Sequence, residues 1–583
     1  GEEGALSTPP RIAEIAKEIE QTGIKGWDGL FWKNQYEAFQ QFFHEKNLAP
    51  YFGSIDSLTR AMGDVSFDHQ GRRIQGMRMQ NTGDVYAVNG WEAMPYDNHS
   101  GIVDIYRNCK GNPSTFTYYT QPLYVAVSPR TQFVHLPGKV PVDFYIVNEK
   151  NLSGKYRLSV SVCTPDGKEG KHIEKEVHIT GGDCFGQLLL ENCHLAIEGA
   201  SGLYQVKAQL RNASGHLCAE GKDEVLGIYW DKKQLKGKGA LYGTPDDPVA
   251  TFYQKATGCE LPAFRSDMEK LDWIVVTRSS LDAPQPVPVE AFCQKEGKSV
   301  LELSLYKDDD LRTLAGVTQD NKIDRTFADG AQPDPLLPAN QSFSAIWDGK
   351  LKAPQSGTYM IGVTSDQGMR LSVNGQRIVD EWRNNKELTV VRPFLLKAGD
   401  EVAVRVEYSQ RNPTGSVQLV WSLPDHAAIA PQELLDRVKE DGTSLLLLKS
   451  AESWMDAVSA YTGSAYHGYY SVGKNWVGGV HFVKEHPLFN GLPVNVAMGW
   501  PYQALVRNGD RRLGLHIDNE ELVAGSYSSA PFNLGSAVGI ISCGKGKIYY
   551  STLDLVDNLN NPAAAADVAR KLFCNFILLS KDR

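Results

Sequence analysis

At 583 residues the chain is too long for one core, and at about 150 residues per domain it divides into roughly four domains. Sixty basic against 69 acidic side chains leave a net charge of −9, which offers no phosphate-neutralising surface and excludes nucleic acid as the expected partner. Apolar residues at 42% and charged residues at 22% are ordinary globular usage. Apolar runs such as Leu445 to Leu448 fall far short of the roughly 18 residues of a membrane span.

The nine cysteines include no CxxC pair, so neither zinc ligation nor a dithiol redox site is expected. Most of them read as small buried hydrophobes, and no metal or cofactor is expected. The opening GEEGALSTPP has no basic or apolar region of a targeting segment. Eleven tryptophans and 25 tyrosines suit flat stacking surfaces for sugars and, equally, packed β-sandwiches.

In chain order, Ile12, Ile15, Ala16 and Ile19 recur at helical spacing from Pro9 to Gln21, with Thr8 as N-cap and Pro9 at the first helical position. A second helix is expected from Phe31 to Glu45 with Tyr36, Phe39, Phe42 and Phe43 inward, and a third from Arg72 to Asn81. The clearest strand follows at Val85 to Trp91. A strand end at Gly1 to Ala5, then helices, then a strand ending at Trp91 and Glu92 reads as the last part of an alternating (β/α)8 TIM barrel. A whole barrel takes about 250 residues, so residues 1–120 hold about half of one.

Residues 121–228 turn to period-2 strands, among them PLYVAVSP, KVPVDFYIVN, GKYRLSVSV, KEVHIT and GLYQVKAQL, the pattern of an immunoglobulin-like β-sandwich. Residues 229–297 and 425–583 carry buried strands and helices, including GALYG, LDWIVVT, SLLLLKS and GKIYYSTLD. They read as one doubly wound α/β domain split by a β-rich insertion at 298–424, with GTYMIGVTS, MRLSVNG, EVAVRVEYS and SVQLVWSLP as strands. Surface loops tolerate such insertions. The fold class is therefore multidomain α/β plus all-β.

A carboxylate at the C-terminal end of a barrel strand sits where barrel enzymes place catalytic groups, and Glu2 and Glu3 both qualify by position. Adjacent side chains of an extended segment point to opposite faces, so only one of them can face the barrel axis. Trp91 and Glu92 pose the same choice at the next strand end. An indole there can floor a sugar pocket or pack the barrel rim.

The strings GEEGALSTP, GDVYAVNGWEAMPYDNHSGIVD and YYTQPLYVAVSP resemble the end of the catalytic barrel of glycoside hydrolase family 2 and the sandwich that follows it, over residues 1 to about 228. The resemblance implies a retaining β-glycosidase, similar to β-galactosidases and β-glucuronidases, with Glu2 as nucleophile and Glu3 as the fallback. Trp91 and Glu92 then line the pocket. Retention requires two carboxyl groups about 5 to 5.5 Å apart. The family's acid/base glutamate lies in an Asn-Glu pair upstream of this sequence, and the Asn148-Glu149-Lys150 string falls inside the sandwich. The resemblance thus implies a chain that is inactive alone and partnered by the missing part of the barrel, on the same or another chain.

SFSAIWDGKLKAPQSGTYMIGVTSDQGMRLSVNGQRIVDEW resembles the protective-antigen-type sandwich of adhesins and of many glycosidases, which implies carbohydrate binding. Where many members show Asp-Asp-Gly, with calcium and sugar roles, this sequence has Ser365-Asp366-Gln367-Gly368. A rigid spacer or dimer contact is the alternative. The split domain resembles a glutamine-amidotransferase-like domain, with EHPLFNGL at Glu485 to Leu492 as its signature. Its elbow, LLLLKSAESW, offers Lys449 and Ser450 instead of a cysteine nucleophile, which reads as catalytically inert, and His486 as structural. The expected partner is a carbohydrate substrate, and the resemblances suggest a periplasmic or cell-surface bacterial location. A non-catalytic carbohydrate-binding or adhesion protein is the alternative to the enzyme. Amidotransferase or peptidase chemistry ranks last.

Overall fold

The computed structural model describes residues 8–24, 26, 28–81, 101–170, 172–243, 246–279, 284–295, 298–299, 301–424, 431–472, 479–506, 513–529 and 532–581. The first helix, Ile12–Thr22, starts later than its pattern suggests, with Arg11 at the N-cap. Thr8, Pro9 and Pro10 form a buried lead-in, and the Arg11 amide donates to Asp104 Oδ2 at 3.1 Å. A contact 93 residues away in sequence thus sets this helix start.

The second helix, Gly29–Glu45, buries Trp32, Gln35, Phe39 and Phe43, while Tyr36 and Phe42 are half-buried. The expected third helix is the end of a longer one, Ile55–Met79, capped by Ser54, whose hydroxyl accepts from Ser57 N at 3.1 Å. Before Leu123 the described residues form helices and one isolated β-bridge, Val103 with Cys109. The expected strand from Val85 to Trp91 lies outside them. Phe39, Phe43, Phe52, Leu58 and Met62 pack against Phe482, Leu522, Tyr527 and Leu534 of the strands near the C-terminus.

From Leu123 to Ile228 two antiparallel-rich sheets share a core. One orders Leu123–Pro129, Gly138–Asn148 and Gly186–Ile197. The other orders Phe133–His135, Leu217–Ile228, Gly202–Arg211, Gly154–Cys163 and Ile173–Ile179. Val140, Val142, Phe144 and Ile146 alternate inward along one strand and meet Val160, Val206 and Val225 from the other sheet, the period-2 signature of a half-buried sheet.

Four strands, Gly239–Tyr242, Trp273–Val276, Ser444–Leu447 and Gly546–Ser551, run parallel within a ten-stranded sheet. Val275 stands between Leu241 and Leu446, and Leu446 pairs with Tyr549. Every residue of Trp273–Val276 and Ser444–Leu447 is buried, as strands covered on both faces require. On one face Trp273, Val275, Leu446 and Leu448 pack with Phe252 of the helix Pro248–Thr257 and Phe573 and Phe576 of the helix Asp567–Leu579. The rest of the sheet is antiparallel and carries the N-terminal helices.

All of this belongs to one compact unit, Gly1–Arg278 with Pro431–Arg583; the second unit is Ser279–Ala430. The second unit pairs a six-stranded sheet, in which Phe343–Lys352 and Glu401–Gln410 are central, with a five-stranded sheet built on Gly357–Ser365 and Gly415–Ser422. Leu303, Trp347, Ile361, Val406, Tyr408 and Leu419 fill the space between them.

Candidate functional site

Glu2, Glu3, Trp91 and Glu92 lie outside the described residues. The chain downstream of each pair is described, and the two stretches converge. Beside the amide bond to Asp104, Arg11 Nη1 donates to the Cys109 carbonyl at 3.0 Å, and its Nε and Nη2 grip Asp56 at 2.6 and 2.5 Å. Asp104 is fully buried and also accepts from the amides of Tyr106 and Asn108, both at 2.9 Å. Burial pushes its carboxyl above the usual range against the pull of those donors. Lys110, fully buried as well, has its ammonium pulled down to about 7 by desolvation, with Asp104 as the opposing charge. Sequence reasoning missed Asp104 and Lys110, because an acid and a base in an irregular loop carry no periodic signal.

At the carboxyl ends of the parallel strands, where open α/β sheets place ligands, Ser450 follows Ser444–Leu447 with φ 53° and ψ 36°. A left-handed serine on a strand-to-helix turn has the backbone of a nucleophile elbow. The neighbouring Lys449 ammonium pairs with Asp557 at 2.6 Å. Asp247 accepts the Thr277 hydroxyl and caps the helix Pro248–Thr257. His486 Nδ1 accepts from Leu488 N at 3.2 Å, capping the turn Pro487–Phe489, and its Nε2 lies 3.4 Å from Glu521.

In the second unit, the Ser365–Gly368 turn is turned toward protein donors. Asn384 Nδ2 donates to the carbonyls of Ser365 and Gln367, each at 3.2 Å. Asp366 Oδ1 accepts from Ser416 N at 2.7 Å, and Gln367 Oε1 from Arg411 N at 3.3 Å. The Arg411 guanidinium binds Asp309 through Nε at 2.9 Å and the Trp382 carbonyl through Nη1 at 2.7 Å. Calcium requires six to eight oxygens converging on one point. This donor set does not fit it, since one carboxylate oxygen, the amide oxygen and two carbonyls are already engaged by N–H groups and a full positive charge sits among them. Among the described residues no group of three or more His, Cys, Asp and Glu side chains could hold a metal ion.

Arg411 also borders a cavity of about 670 Å³ in the same unit, together with Thr326, Asp329, Asn340, Gln341 and Asn412. Its floor includes Gln410, only 4% exposed, whose Oε1 accepts the Tyr408 hydroxyl at 2.7 Å.

Residues 297–434 match the model of the PA14 domain. The other matches are partial. The anti-sigma-I factor RsgI3 of Acetivibrio thermocellus is 29% identical over 117 residues, 20% of this chain and 18% of that protein, so the chain spans less than a fifth of that curated relative. Among solved structures, a β-glucosidase from Kluyveromyces marxianus in complex with glucose is 16% identical, with 38% of this chain and 29% of that chain covered at a TM-score of 0.21. A PA14 sugar-binding domain from an RTX adhesin is 19% identical, with 21% and 86% covered at a TM-score of 0.17. At these TM-scores neither structure decides the fold. No helix among the described residues is long and apolar enough to cross a membrane.

Proposed function

We propose that this chain is the carbohydrate-recognising C-terminal portion of a retaining β-glycosidase. The observation that carries the reading is the PA14 match at residues 297–434, on a two-sheet unit that opens a polar cavity. On this reading residues 1–120 are the end of a (β/α)8 barrel of glycoside hydrolase family 2 type and 121–228 the sandwich behind it. Residues 229–297 with 425–583 are an amidotransferase-like doubly wound domain, interrupted by the module at 298–424.

Glu2 attacks the anomeric carbon and forms the glycosyl-enzyme intermediate, with Glu3 as the fallback; Trp91 and Glu92 line the sugar pocket. The Arg11–Asp104 bond supports this placement, because it fastens the chain after Glu2 to the chain after Glu92. The proton donor belongs to barrel strands that this sequence does not contain, so hydrolysis requires them.

The test is to express the chain together with its preceding barrel strands and assay an aryl β-glycoside. Glu2→Gln should abolish turnover and leave the fold intact; unchanged turnover removes Glu2 from its role. A second reading, a non-catalytic carbohydrate-binding or adhesion protein, is favoured by the cavity being complete within Ser279–Ala430. No turnover in the extended chain alongside retained sugar binding selects it.

A further inference from the structure

We infer that the PA14-like unit holds a neutral saccharide in the cavity floored by Gln410, and that it does so without a metal ion. The inference rests on the carbohydrate-binding reading above. It adds the place of the ligand, its charge class and the means of recognition.

Gln410 is the decisive residue. Its carboxamide oxygen is fixed by the buried Tyr408 hydroxyl, and among the described residues no acceptor pairs with its carboxamide nitrogen. The side chain is nine-tenths buried and borders the cavity. A donor bordering the cavity is satisfied by water or by a ligand hydroxyl that displaces it. Around the mouth stand hydroxyl and amide side chains, Thr326, Asn340, Gln341 and Asn412. Each pairs donor with acceptor, the complement of the hydroxyl groups of a pyranose. The volume, about 670 Å³, falls within the roughly 300–1,000 Å³ of small-ligand pockets.

Charge decides the class. Arg325 is paired with Asp320 at 2.8 Å, Asp324 with Lys322 at 2.8 Å, and Arg411 with Asp309 at 2.9 Å. The cations that border the cavity are therefore already neutralised. Asp329, exposed at the rim, repels an anion. A uronic acid meets no free cation here, whereas an uncharged sugar meets a full set of neutral partners.

Arg411 does what a bound cation could do elsewhere: its backbone N–H holds the Ser365–Gly368 turn and its guanidinium holds the Asp308–Asp310 loop and the Trp382 carbonyl. It binds Asp309, receives the Gln367 amide oxygen at its own backbone N–H, and borders the cavity. This part of the wall is built from the chain alone, so chelation has nothing to remove.

The experiment is saturation-transfer NMR and calorimetry on the full chain with lactose, cellobiose and maltose, and with glucuronic and galacturonic acid, each in calcium and in EDTA. The expected result is binding of at least one neutral disaccharide with the same Kd in both buffers, and weaker or no binding of the uronic acids. Gln410→Leu and, separately, the isosteric Gln410→Glu, which removes the donor, should each weaken that binding about tenfold, the worth of one hydrogen bond of about 1.4 kcal/mol. Tighter binding of a uronic acid than of any neutral sugar overturns the charge assignment. Binding that requires calcium and is lost in Asp366→Asn overturns the metal-free cavity and leaves the carbohydrate reading standing. No sugar binding in either buffer ends both for this unit.

Discussion

Lys46 Nζ stands 2.8 Å from Glu520 Oε1, with the lysine 10% and the glutamate 0% exposed. The pair ties the end of the helix Gly29–Glu45 to the turn before the strand Glu521–Ser529, and so joins the N-terminal helices to the large sheet. Glu520 also accepts the hydroxyls of Ser536 and Tyr550. Removing one partner of such a buried pair leaves the other charge uncompensated, at a cost of about 3–5 kcal/mol. Lys46→Met should therefore lower the urea midpoint of the first unit sharply, and the double variant Lys46→Met with Glu520→Leu should recover part of the loss. Equal loss in both variants would show that the hydroxyls, not the ion pair, hold the junction.

Two glycines of one helix, Ile55–Met79, give opposite expectations. A Cβ on Gly63 would lie 2.1 Å from the Lys110 carbonyl oxygen, while a Cβ on Gly76 would meet nothing within 4 Å. Alanine is the better helix former by about 1 kcal/mol. Gly76→Ala should raise the melting midpoint. Gly63→Ala should lower it by far more, because backbone cannot step aside as a flexible side chain does. Similar shifts from the two substitutions would mean the helix does not pack this closely on the Lys110–Gly111 backbone.

The same helix shows why sequence reading reached only part of the fold. Its last turns were legible from Arg72 onward; its first half was not, because Gly63 and Gly71 lower helix propensity there. Both are glycines for tertiary reasons, Gly63 against the Lys110 carbonyl and Gly71 against the Tyr119 ring. Leu123–Pro129 was legible through its continuous apolar run and Glu401–Gln410 through the alternation of its first half. Gly186–Ile197 escaped, since register shifts opposite Val142 to Tyr145 break its alternation. The cavity around Gln410 was illegible for a related reason: its walls are loops and strand ends that meet only in three dimensions. Asp104 and Lys110 likewise became visible only through burial.

Lys110 gives the first unit a pH dependence. An ammonium whose pKa falls from 10.5 to about 7 on folding leaves the unfolded chain holding more protons than the folded one between those values. Stability accordingly rises with pH across that window, by up to about 1.4 kcal/mol per pH unit. Asp104 is the facing carboxylate and the charge that opposes the desolvation of the lysine. Lys110→Met should remove this contribution, so the melting curves of variant and wild type should draw together as pH climbs from neutral toward 10.5. Curves that stay parallel would mean the lysine keeps its proton in the folded chain.

Ser450 holds φ 53° and ψ 36°, a conformation that costs a non-glycine residue about 1–2 kcal/mol. Proteins that use such an elbow keep the strain because the side chain performs chemistry. Here the adjoining Lys449 is held by Asp557, and the serine hydroxyl has no part in the proposed hydrolysis. Ser450→Gly should therefore raise stability by about 1 kcal/mol and leave both disaccharide binding and, in the extended chain, aryl β-glycoside turnover unchanged. A loss of either activity in a variant that still folds would give the elbow serine a working role and reopen chemistry in the split domain.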